Sequence, residues 1–121
     1  MQHQAFPFPH TRLEVFQLSL EMASQAKLVA DRIPRGHRTL ADQLLRSSGS
    51  TVLLIGEGAN RYTAGAKRQR YSEARGECGE VAAAAELLSV LELVPRKECE
   101  VLLSLAGRVA AMLTRLLKRF A

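Results

Sequence analysis

The sequence predicts an all-α fold, a single-domain, up-down-up-down antiparallel four-helix bundle. Three observations carry that prediction. Apolar residues recur at three-four spacing through four long segments, the signature of a helix with one buried stripe. Breaks at Pro34–Gly36, Tyr62–Gly65 and Pro95 leave segments of helical length joined by short turns, so consecutive helices run antiparallel. The composition is rich in Ala and Leu, with no Trp and few aromatics, so an aliphatic helical core is favoured over strands.

The elements follow in chain order. Residues 1–10 alternate Phe6 and Phe8 with Pro7 and Pro9 and predict an extended arm, either loose or docked by its rings. The first helix is expected over about 12–33, with Thr11 as N-cap, Glu14 completing a capping box, and Val15, Leu18, Met22, Ala26, Val29 and Ile33 as the buried stripe. The second is expected over about 40–61 with Thr39 as its cap. The third is expected over about 66–93; Gly49 and Gly79 then come level across a turn centred near residue 64 and, with Gly76, predict a close crossing of helices two and three. The fourth is expected over about 96–120, with Glu98 early and Arg115, Lys118 and Arg119 late, an order that suits the helix dipole.

The stretch Gln43–Gly58 organises this arrangement. Its centre, Val52-Leu53-Leu54-Ile55, sets four apolar residues about 100° apart, a run expected to be buried nearly all round by the bundle or by a neighbouring subunit. With the Leu pairs at 87–88, 102–103 and 116–117, the apolar surface exceeds what one small bundle covers, so a homo-oligomer is expected.

The same stretch resembles the signature of the bacterial four helix bundle protein family. That family includes proteins encoded in intervening sequences of large-subunit ribosomal RNA genes. A more distant relative is the accessory variability determinant of diversity-generating retroelements. Gln43, Leu44, Arg46, Ser50, Ile55, Glu57 and Gly58 match its first motif; Ala74, Gly76 and Glu80 match its second. The departures are Ser47, Thr51, Leu54, Gly56 and Glu77, of which Leu54 and Glu77 replace an Asn and a Ser. The resemblance implies a small four-helix bundle, a pentameric ring and, through the retroelement relative, contact with nucleic acid and a reverse transcriptase.

Net charge is +5, and its placement is uneven: residues 61–75 hold five basic side chains and one acidic, while 76–100 hold two basic and six acidic. In an up-down-up-down bundle the N-terminus, the second turn and the C-terminus share one end. Arg12, Arg61, Lys67, Arg68, Arg70, Arg115, Lys118 and Arg119 collect there, with Tyr62 and Tyr71 as candidate stacking platforms. Such a basic pole suits RNA or DNA phosphates; an ordinary solvated surface is the plainer alternative. Glu57, on a helix expected to be buried, calls for an ion-pair partner, with Arg61 and Arg75 the candidates.

Other chemistry lacks its residues. Gly56-Glu57-Gly58 follows no strand and has Arg61 where a dinucleotide loop needs glycine. His3, His10 and His37 lack ligand spacing, Cys78 and Cys99 have no companion pair, and no catalytic constellation is evident, so no metal, cofactor or enzymatic activity is expected. The first ten residues do not read as a signal peptide and no run is long enough to span a membrane, so a cytoplasmic protein is expected. Two readings follow: a non-enzymatic nucleic-acid-binding oligomer, alone or as an accessory to a protein partner, or an adaptor or scaffold that binds only protein.

Overall fold

The fold was taken from a computed structural model that describes residues 8–121. Four helices, α1 (Glu14–Arg32), α2 (Arg38–Ala59), α3 (Ala64–Val90) and α4 (Arg96–Arg119), form a four-helix bundle, and no strand occurs among the described residues. Each helix packs on its sequence neighbours, and α1 closes the square against α4. The arm residues 1–7 lie outside the described residues.

Helix boundaries show how local chemistry overrides simple capping patterns. Thr11 does not cap α1. Pro9, locked at a helical φ, instead starts a 3₁₀ turn, Pro9–Arg12, and α1 begins after the extended Leu13, whose carbonyl accepts from the Phe16 and Gln17 amides. Ile33 ends α1 because the following Pro34 forces it to an extended ψ of 128°. A second 3₁₀ turn, Arg35–His37, starts α2 at Arg38, so Thr39 falls inside the helix rather than at its cap. Thr63 is a true cap: its Oγ1 accepts from the Ala66 amide at 3.1 Å. α3 stops at Val90, before the expected end, because Glu92 adopts φ 58° and the Glu92 and Leu93 amides turn back to the Ser89 and Leu88 carbonyls. That is a Schellman closure with a glutamate where glycine is usual.

The core runs along the bundle axis through Met22, Leu44, Ile55, Leu88, Leu102 and Leu113, with Ala26, Ala74, Ala85 and Ala106 letting the helices approach. Ser47 and Thr51 are also fully buried, and each hydroxyl donates to the carbonyl four residues back, so burial leaves neither unpaired. The organising run does not behave as one buried block. Ile55 and Val52 are buried, Leu54 is half-buried and Leu53 is 72% exposed, because consecutive positions on α2 face four directions and a single chain covers only the inner ones.

The close α2–α3 crossing is displaced from its expected place. Nothing lies within 4 Å of a Cβ built at Gly49, Gly76 or Gly79. At Gly58 a built Cβ would meet Tyr71 Cε1 at 2.6 Å. The helices touch most tightly near the turn that joins them, where the Tyr71 ring fills the space a side chain would take.

Candidate nucleic-acid interface

Local contacts draw four chain segments to one end of the bundle. Asn60 Nδ2, at the end of α2, donates to the Gly56 carbonyl at 2.7 Å and lies 2.8 Å from His10 Nδ1, tying the α1 entry to the α2 exit. Tyr71, near the start of α3, packs against Gly58 and tilts onto Phe120 with ring centroids 6.0 Å apart, drawing in the end of α4. Glu14 and Val15 line a cleft with Arg115 and Arg119. Eight basic side chains therefore gather around three acidic ones, Glu14, Glu57 and Glu73, a surplus of five that equals the protein's whole net charge.

Those eight cations are not equivalent. Lys67 Nζ donates to the Ala59 carbonyl at 2.9 Å, satisfying a group that the end of α2 leaves open. Arg70 donates to Glu73 at 2.8 Å and lies 3.5 Å from Glu57. Arg61 also reaches Glu57, at 3.7 Å. The other five, Arg12, Arg68, Arg115, Lys118 and Arg119, are exposed, and none has a carboxylate within 4.0 Å among the described residues. These five are the cations open to a phosphate.

Two expectations are corrected. Glu57 is exposed rather than buried, and its second partner is Arg70, not Arg75. Arg75 points to the other neighbour of α3 and donates to Thr114 Oγ1 on α4 at 2.7 Å. Tyr71 is 2% exposed and its phenol is pushed up by burial, with Arg119 opposing, so it serves as core rather than as a stacking platform. Tyr62, fully exposed in the α2–α3 turn, keeps a free ring face.

The sequence reading missed a cross-brace midway along the α2–α3 contact. Glu80 Oε2 accepts from Gln43 Nε2 at 2.7 Å and from Arg46 Nη2 at 2.8 Å, while Arg46 Nη1 reaches Glu77 at 3.3 Å. Hydrogen bonds from Arg46 and then Gln43 hold the Glu80 carboxyl below its usual range, and Glu80 raises Arg46 in turn. Its signal lay in pairs at i, i+3 on two helices, set at mirrored distances from the Tyr62 turn. Both cysteines are buried and unpaired, and burial pushes the Cys78 thiol up to about 11. Among the described residues no cluster of His, Cys, Asp or Glu is built to hold a metal, and no helix is long and apolar enough to cross a membrane.

The family profile described as 23S rRNA-intervening sequence protein matches residues 11–115. Among solved structures, the chain resembles a protein of unknown function from the S23 ribosomal protein family of Bacteroides thetaiotaomicron. The two share 22% identity and a TM-score of 0.81, over 86% of this chain and 98% of that one. At that identity the likeness speaks for the fold alone. No functionally curated protein matches.

Proposed function

The chain belongs to the family of 23S rRNA-intervening sequence proteins, and on that premise we propose a non-enzymatic, homo-oligomeric bundle that binds RNA or DNA through its basic pole. One observation carries the reading: five exposed cations without carboxylate partners share an end that holds the whole net charge. Repeated around an oligomer, such an end multiplies its field, and phosphate neutralisation is its natural use. RNA is the first ligand class to try, because the family's description names 23S rRNA. Titrating labelled single-stranded RNA and duplex DNA at low salt and at about 0.2 M salt tests it, with affinity falling steeply as salt rises. Absence of binding at low salt overturns the reading.

Self-association, for which the family resemblance implies a pentameric ring, is supported by a separate feature. Leu53 projects beside a groove formed with Phe16, Val52 and His10, and Phe8 stacks on His10 with centroids 5.8 Å apart. Leu53→Glu is expected to lower the mass measured by light scattering while leaving the helical content intact, since an exposed leucine contributes little to its own subunit. The same groove favours a second reading, an adaptor that binds only protein, which unchanged behaviour of the basic-pole variants described below would support.

A further inference from the structure

We propose that the cleft between the start of α1 and the end of α4 is a subsite for one unpaired guanine of a single-stranded nucleic acid, a refinement that rests on the reading above. The cleft measures about 390 Å³. Leu13, Val15, Met112 and Leu116 form an apolar floor suited to the face of a base, and Glu14, Arg115 and Arg119 stand at its rim. An apolar lining with a few convergent polar groups is the usual make-up of a small-ligand site, which spans about 300–1,000 Å³.

The rim selects the base. Glu14 shares the cleft with two arginines yet lies within 4.0 Å of neither, so all three side chains keep their hydrogen-bonding capacity. A carboxylate offers acceptors only. Guanine alone presents two adjacent donors, N1–H and the N2 amine, on its pairing edge. Adenine and cytosine set one donor beside an acceptor, and uracil sets one donor between two carbonyls. Arg115 and Arg119, one helical turn apart, stand where the flanking phosphates pass. A carboxylate left unpaired in a basic pole weakens the hold on any polyanion, and reading a base gives that cost a use. Single strands are read in this way, on splayed bases and their pairing edges.

The test uses the full chain and labelled RNA and DNA strands of about ten nucleotides, matched to the site size of single-strand binders. One strand is all uridine or thymidine, one carries a single central guanosine, and one carries inosine, which lacks the N2 amine. The guanosine strand is expected to bind about tenfold tighter than the uniform one, the discrimination of one good bidentate contact, with inosine between them. Glu14→Gln is expected to erase the difference. The inosine comparison needs no variant, so it stands even where the substitution harms folding. Equal, salt-sensitive binding of all three strands overturns the guanine subsite and leaves the nucleic-acid reading standing. A guanosine preference that survives Glu14→Gln overturns the assignment to this cleft, and no binding of any strand overturns both.

Discussion

The two ends of the bundle are built from the same parts, yet one is strongly basic and the other balanced in charge. Each end holds two helix starts and two helix ends, so the backbone dipoles offset one another at both. At the end opposite the basic pole, Lys27, Arg32, Arg35, Arg38, Arg96 and Lys97 face Asp31, Asp42, Glu86, Glu92, Glu98 and Glu100, six against six. There the charges balance, and three pairs form: Lys27 reaches Asp31 at 2.7 Å, Arg32 reaches Glu98 at 3.3 Å and Arg96 reaches Glu100 at 3.1 Å. At the basic pole three acids face eight bases, and two of those acids are spent on Arg61 and Arg70. The difference therefore lies in side chains and not in architecture, and substitutions can shift it without rebuilding the fold.

The largest expected effect tests that contrast directly. Neutralising Arg68, Arg115 and Lys118 to Gln should weaken RNA or DNA binding and flatten the salt dependence by about one unit of slope per lost phosphate contact. The matched triple at the other end, Arg35→Gln, Arg38→Gln and Lys97→Gln, removes the same charge and should change neither, as read by anisotropy titration across salt. Equal losses from both triples would reduce the pole to bulk charge. Lys67 and Arg70 are poor choices for this test, because their loss also strips the end of α2 and the Glu57–Glu73 pairings.

The second effect is on stability and contrasts two places on one helix pair. Gly58→Ala drives a methyl into the buried Tyr71 ring and should cost about 1–3 kcal/mol in urea unfolding, the usual range for overpacking. Gly49→Ala, Gly76→Ala and Gly79→Ala meet open space and should each stabilise by about 0.5–1 kcal/mol, since alanine loses less backbone freedom in a helix. Destabilisation by any of those three would restore the crossing to the place the spacing suggested.

These glycines also show what the sequence makes legible. Periodicity and proline placement locate all four helices, because those signals are local and repeated along each segment. Which glycine marks the contact depends on how the helices rotate about their axes, and that is set by packing rather than by spacing. The basic pole was legible because topology alone brings helix ends together. Its division into five open cations and three engaged ones was not, since side-chain reach decides it. Glu57 was misplaced for the same reason: a helix that is apolar at Ile55 turns outward two residues later.

A smaller effect belongs to the end with balanced charge. Glu92 holds a left-handed φ of 58° to close the α3 turn, a conformation that penalises a side chain and suits glycine. Glu92→Gly should stabilise by less than about 1 kcal/mol, because the relieved strain is partly offset by the freer unfolded chain, and thermal melting checks it.

The smallest effect concerns the cross-brace between the two ends. Arg46 is exposed and both glutamates are half-buried at the surface, so solvent still screens them and the contribution is modest. Its pH dependence is still distinctive. Because the folded state lowers the Glu80 carboxyl, its contribution is complete above the ordinary carboxylate range and is lost as pH falls through the depressed value. Glu80→Gln should therefore be slightly less stable than the native protein at neutral pH, and the two should converge in acid, where Glu80 is protonated in both states. A constant gap across that range would mean that Gln43 and Arg46 brace the helices through Glu80's shape rather than its charge.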